Sequence, residues 1–192
     1  MKPDRQYRSR STFGFGLLET LAVIALISIA ATVAIIQLRP TRELLSADQN
    51  SNLVMTQTRY ARQVAIDQRR NVLITFTAPN RITVTRLESG GGSTVLSDVT
   101  LSGGFTFGLP TGTIPDTPEG FGNATAVAFG LATGGTFLGD GTFISAGGLV
   151  QNGSVFTIGG GNQTARAVTL TGATGRLKQY SLDGGVWKEA IE

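Results

Sequence analysis

The chain has 192 residues, 41% of them hydrophobic, and contains neither cysteine nor histidine. Those absences exclude disulfide staples, thiolate or imidazole metal ligands and Ser-His or Cys-His nucleophiles, which removes the usual basis for an enzyme. The net charge is +3; of 16 basic and 13 acidic residues, four and one lie within residues 1–14, and the rest balances at 12 each, which argues against a general affinity for nucleic acid.

The leader cations are Lys2, Arg5, Arg8 and Arg10, set against Asp4. Residues 15–38 follow with a single formal charge, Glu19. As a helix rising about 1.5 Å per residue this segment reaches about 36 Å, enough to cross a hydrocarbon core of about 30 Å with some tilt. A buried soluble helix accounts for the hydrophobicity. A cleavable secretory signal has a shorter apolar region and a small-residue site, which "SIAATVA" (28–34) offers. An ordinary signal anchor explains the length but leaves Glu19 unexplained, since a carboxylate at membrane depth costs about 2.5–3.5 kcal/mol on insertion scales. The leader cations favour a cytoplasmic N-terminus, although Arg39 and Arg42 beyond the segment reduce the asymmetry.

The string "GFGLLE" (14–19), preceded by the basic leader and followed by the apolar run, resembles the type III signal of type IV prepilins. The resemblance implies that a prepilin peptidase cuts between Gly14 and Phe15 and methylates the new amino group of Phe15. Glu19 would then face a charged amine, its own or that of a neighbouring subunit. Before cleavage that nitrogen is an uncharged amide, so processing would create the cation that offsets the buried anion. Gly16 departs from the Thr or Ser more frequent in the family. The small residues Ala22, Ala25, Ser28, Ala30, Ala31 and Ala34 would allow helices of several subunits to approach closely.

Pro40 lacks an N–H and crowds the preceding turn, which predicts a kink or local unwinding near 37–39. Helical periodicity returns over 41–70. Ala47, Val54, Ala61, Ala65 and Gln68 form a small-residue stripe flanked by Leu53, Tyr60 and Val64; it is expected to lie on a sheet while Arg59, Arg62, Asp67 and Arg69 face water.

Strand signals dominate thereafter. "NVLITFT" and "RITVTRL" alternate apolar with polar residues and are joined by "APN", which reads as a hairpin; "STVLSDVTL" follows the "SGGG" turn at 89–92. The Gly/Pro-rich "GLPTGTIPDTPEGFGN" (108–123) is expected to be irregular or mobile. Further strands are expected in "ATAVAFGL", "SVFTIG", "ARAVTLT" and "GRLKQYSL", with a Gly-broken region at 133–153 and a short closing strand in "GVWKEAIE". Hairpin-length connections do not permit parallel crossovers, so the fold class is α+β, a long N-terminal helix on antiparallel strands. "YARQVAIDQRRNVLITF" and "RAVTLTGATGRLKQYSLDGG" resemble the helix-to-strand junction and closing strand pair of GspH/FimT-type minor pseudopilins and pilins, which implies a pilin-like fold.

Little chemistry remains. Asp116 and Glu119 come nearest to a carboxylate pair, but their loop should leave both ordinary and solvated. "GDG" (139–141) lacks the further oxygen ligands of a calcium loop, and "GGG" (159–161) lacks a P-loop lysine and a following helix; both read as turns. Phe105, Phe107, Phe121, Phe129, Phe137, Phe143, Phe156 and Trp187 read as core or turn packing. Arg166, Arg176, Lys178 and Lys188 are spread among acidic neighbours such as Asp183 and Glu189; some members of the resembled subfamily bind DNA during uptake, which leaves that as a lesser alternative.

The expected organisation is a cleaved leader at 1–14, a transmembrane and assembly helix at 15–38, an amphipathic periplasmic helix at 39–70 and a β-rich periplasmic domain at 71–192. The resemblance implies a minor subunit of a type II secretion pseudopilus or a type IV pilus, single-pass in the bacterial inner membrane, with no catalytic residue, metal or cofactor. Its partners would be other pilin or pseudopilin subunits, the prepilin peptidase and the inner-membrane assembly platform. A signal-anchored or secreted β-rich binding module of adhesin type is the alternative from a different class.

Overall fold

In the computed structural model of the chain, residues 16–130 and 133–190 are described, the side chains of 33–39 excepted. The chain divides into two compact units, one ending at Pro40 and one beginning at Thr41. A single helix, α1 (Leu17–Gln68), passes through Pro40 without a break in its assignment, so the unwinding expected at 37–39 is absent. α1 stops at Arg69, whose φ of 49° is left-handed; the Arg70 N–H then reaches back to the Ala65 carbonyl at 3.1 Å, closing the last turn.

Eleven strands follow among the described residues, in two antiparallel sheets. The first sheet holds β1 (Val72–Thr77), β2 (Arg81–Leu87), β3 (Ser93–Thr100), β6 (Gly134–Phe137) and β7 (Phe143–Ile144), in the order β3-β2-β1-β6-β7. The second holds β4 (Thr106–Phe107), β8 (Gly153–Ile158), β9 (Arg166–Thr171), β10 (Arg176–Asp183) and β11 (Val186–Glu189), in the order β11-β10-β9-β8-β4, with β5 (Val127–Ala128) also paired to β8. The β1–β2 hairpin pairs Val72 with Arg86 through Thr77 with Arg81, as the "APN" turn requires. Two expectations need correction. "ATAVAFGL" contributes only the two-residue β5, and the Gly-broken region supplies β6 and β7, because Gly134 and Gly135 let β6 lie close along β1 opposite Thr75 and Ile74.

Ala47, Val54, Ala61 and Ala65 of α1 are fully buried, so four of the five stripe positions face the sheets as expected. Gln68 does not: it is exposed, and its Oε1 accepts a hydrogen bond from Arg86 at 2.7 Å. The stripe packs with Ile74 and Phe76 of β1, Ile82 and Val84 of β2, and Val155, Val168 and Leu170 of the second sheet in one core. A smaller core on the other face of the second sheet joins Phe156, Ala167, Tyr180, Leu182 and Trp187 to Leu109 and Ile114 of the 108–123 loop. Alternation explains the division: Val155 and Val168 point to the first core, while their neighbours Phe156 and Ala167 point to the second. Covered on both sides, β8 and β9 are buried at five of six positions each. Of the aromatics read as core or turn packing, Phe105, Phe129, Phe137, Phe143, Phe156 and Trp187 are buried, while Phe107 and Phe121 are half-buried.

Polar ties fasten residues 41–68 of α1 to the strands. Arg166, its side chain only 6% exposed, donates from Nε to Asp48 Oδ1 at 2.6 Å, and its Nη1 donates to the carbonyls of Gln163 and Ala165. The Asn50 amide donates to the Ser102 carbonyl at 3.2 Å and accepts the Ser102 N–H at 2.8 Å. Gln179 donates to Ser51 Oγ at 2.5 Å. Arg62, expected to face water, is half-buried; its Nε donates to the Gly141 carbonyl at 3.3 Å and lies where a side chain at Gly175 would collide with it at 2.2 Å.

The 108–123 loop is irregular as expected, and it is fastened to the strands at several points. Asn162 pairs its side-chain amide with the Thr111 backbone at 2.9 and 2.8 Å, and the Trp187 indole N–H donates to the Pro115 carbonyl at 2.9 Å. Glu119 is likewise no ordinary solvated carboxylate. Its side chain is 16% exposed, accepts a short hydrogen bond from the Tyr180 hydroxyl and stands 3.4 Å from Lys178 Nζ. The reason is tertiary: β10 brings an aromatic hydroxyl and an ammonium beneath a Gly/Pro-rich loop that has neither of its own.

Candidate assembly helix

The N-terminal unit is described from Gly16, so Gly14 and Phe15, the residues of the expected cleavage site, lie outside the described residues. Glu19 lies within them, in the first turn of α1. There the leading N–H groups have no intrahelical acceptors and the helix dipole favours a negative charge. The Gly16 carbonyl accepts the N–H groups of Glu19 at 2.9 Å and Thr20 at 3.2 Å, so the helix closes directly after the glycine. Glu19 is exposed, and it is the one formal charge over 16–32.

Around it the surface is apolar on every side. Leu17, Leu18, Leu21, Ile24, Leu26, Ile27 and Ile29 are each 60–83% exposed. Isolated apolar side chains on a surface are ordinary, but a contiguous set of this kind marks contact with a partner or a membrane. The few hydroxyls are satisfied inside the helix: Thr20 donates to Leu17 O at 2.9 Å, Ser28 to Ile24 O at 2.8 Å and Thr32 to Ser28 O at 2.8 Å. Polar groups turned back onto their own backbone ask nothing of the surroundings, which suits an apolar medium. Among the described residues no helix is long and apolar enough to cross a membrane; Phe15 and the side chains of 33–39, part of the segment read as membrane-spanning, are outside that set.

The remaining candidates resolve into structural roles. The Asp140 carboxylate of "GDG" accepts the Thr142 N–H at 2.8 Å, which holds its pKa below the usual carboxylate range, and the Gly141 N–H closes the turn on Leu138 O. "GGG" begins the β8–β9 connection, where the Gly159 N–H donates to Thr164 Oγ1 ahead of a short 3-10 turn at Asn162–Thr164. Asp116 accepts the N–H groups of Thr117 at 2.7 Å and Gly122 at 2.9 Å, bracing its own loop. Among the late cations, Arg166 is buried on Asp48, Lys178 lies between Glu119 and Glu189, and Lys188 reaches Asp183 at 2.5 Å. The hydrogen bond to Glu189 holds the Lys178 pKa above its usual range, and the Lys188 ammonium holds that of Asp183 below the usual carboxylate range.

The ties at Asp48, Asn50, Arg166 and Gln179 carry no local signal, since each partner lies 52 to 128 residues away. The nearest hint was a run of polar residues, Asp48, Asn50 and Ser51, beside Ala47 on the face turned toward the sheets.

No protein-family model matches the chain, and no curated protein matches it by sequence. Among solved structures, the chain is similar to the type IV minor pilin FimU of Pseudomonas aeruginosa strain PAO1, with a TM-score of 0.45 and 15% identity over 73% of this chain and 89% of that one. It is also similar to the minor pseudopilin EpsH from the type 2 secretion system of Vibrio cholerae, with a TM-score of 0.37 and 10% identity over 76% of this chain and 97% of that one.

Proposed function

We propose that the chain is a minor pilin or pseudopilin: a structural subunit held in the bacterial inner membrane and assembled through its N-terminal helix. The observation that supports this most is the join between sequence and geometry at Glu19. A lone carboxylate occupies the first turn of a helix whose described surface is otherwise apolar, directly after a basic leader ending in Gly14. In this reading prepilin peptidase cleaves between Gly14 and Phe15 and methylates Phe15. Glu19 then pairs with an N-terminal ammonium in the assembled fibre, and the residues from 41 onward present the periplasmic contacts with other subunits and the assembly platform.

Mass spectrometry of the membrane-extracted protein is the direct test, with an N-terminus at methylated Phe15 expected. An N-terminus at Ala31 or Ile35, just past the small-residue site, would overturn the proposal in favour of a secreted module. Glu19→Ala should permit insertion and cleavage yet impair assembly, whereas an ordinary anchored adhesin would not notice the change.

A further inference from the structure

The 108–123 loop does more than cover an apolar face. It is internally bonded: the Asn123 amide donates to Ile114 O at 2.7 Å, the Gly120 N–H to Thr117 O at 2.8 Å, and Asp116 holds both Thr117 and Gly122. Residues 114–123 are therefore a preformed flap, in the manner of compact surface loops packed on themselves. Its fastenings to the second sheet are separate and few. Among the described residues the polar ones are Pro115 O on the Trp187 indole, Glu119 on Tyr180 and Lys178, and Gly122 O on Ser154 Oγ, beside the apolar packing of Ile114 on the smaller core.

Two features make these fastenings easy to release. Open surface clefts of about 290 and 90 Å³ flank the flap base, the first beside Thr113, Asn162 and Leu182 and the second beside Leu109, Phe156 and Trp187, so the edges of the flap are reached by solvent. In addition Glu119 Oε2 is buried without a hydrogen-bond partner among the described residues. Burying half of a carboxylate unsatisfied offsets much of what its other oxygen gains from Tyr180, and lifting the flap would return that oxygen to water.

We propose that residues 114–123 form a latched flap that opens as a unit, with Glu119 and Tyr180 as the latch, while the two sheets stay folded. Opening uncovers Phe156, Tyr180, Leu182 and Trp187, the apolar face of the second sheet. The flap thus has two states that differ in whether this face is presented.

Trp187 is the chain's single tryptophan, is 5% exposed when the flap is closed and touches the flap directly, so it reports the state without labelling. The test uses the full chain in detergent, with acrylamide quenching of Trp187 and amide hydrogen exchange read in parallel. Tyr180→Phe removes only the latch hydroxyl, and Glu119→Gln keeps an acceptor but removes the charge. Each should raise the open population by about tenfold, the worth of one charge-assisted hydrogen bond, and so increase quenching and speed exchange at Thr117 and Gly122. Amides of β1 and β2 should exchange at the wild-type rate. Unchanged Trp187 protection in both variants would overturn the latch. Equal acceleration of β1 and β2 would overturn it too, because the hydroxyl would then support the whole domain.

Discussion

Replacing Asp48 by alanine tests what holds the helix to the strands. The Arg166 side chain is 6% exposed and that of Asp48 50%, so the pair lies between exposed pairs, worth roughly 0.2–1 kcal/mol, and buried ones, whose rupture costs about 3–5 kcal/mol. After Asp48→Ala the guanidinium keeps two carbonyl acceptors at 3.0 Å, and water can reach the half-open position of the lost carboxylate. These features place Asp48→Ala at about 2 kcal/mol, and Asp48→Asn, which retains an acceptor, at about 1 kcal/mol. Arg166→Met removes the buried charge while keeping much of the apolar stem. In that background Asp48→Ala should cost little, giving a coupling of about 1.5 kcal/mol in the double-mutant cycle. Urea unfolding of the full chain in detergent, followed by circular dichroism, measures all four corners, and a constant slope with denaturant keeps the comparison valid. An Asp48→Ala cost that is identical in the wild-type and Arg166→Met backgrounds would refute the reasoning and leave apolar packing alone to fix the helix.

The Tyr180 phenol is pushed up to about 12, first by burial and then by its hydrogen bond to Glu119. A folded value above the unfolded value of about 10 means that the corresponding stability is fully present below pH 10 and is lost as pH rises toward 12, on the order of 2–3 kcal/mol in all. Stability measured against pH should show this alkaline loss in wild type and a flatter limb in Tyr180→Phe. Gly153→Ala would place a methyl carbon 2.2 Å from the Phe129 ring and 2.3 Å from the Ala128 carbonyl, where the backbone cannot retreat; a loss of about 3 kcal/mol in urea unfolding is expected. Gly90→Ala meets nothing within 4 Å and should stay within about 0.5 kcal/mol of wild type in the same assay.

What was legible in the sequence is what neighbours in the chain decide. The Ala47, Val54, Ala61 and Ala65 stripe follows from helical spacing, the β1–β2 hairpin follows from alternation and a tight turn, and the β9–β10 pair is what the family resemblance implied. Glu19 stood out because a charge in an apolar run is conspicuous without any structure. The misreadings share one cause. β6 is a strand because β1 offers it a ladder, not because "GGTF" favours one. The 108–123 loop is fastened by Asn162, Tyr180 and Trp187, which lie 51, 61 and 72 residues beyond the loop residues they hold, and Arg62 turns inward because Gly141 and Gly175 leave room for it. Composition described each of these segments on its own, and in each case a distant partner settled the outcome.

The helix face that meets the sheets is built largely from alanine and valine, and that choice has a cost. Small side chains allow close approach, but they offer a smooth surface on which rotation or axial slip changes little buried area. Asp48, Asn50 and Ser51 supply what the stripe lacks: each must meet Arg166, Ser102 or Gln179, and a slip of one residue would turn all three away from their partners and strand buried polar groups. A subunit that polymerises by its N-terminal helix would need such a device more than a free globular protein does. In such a subunit the orientation of the strands about residues 41–68 would set which surface one copy offers to the next, and apolar burial alone leaves that angle loosely specified. The same polar residues that carried no signal in the sequence are therefore those that fix how the strands are carried on the helix.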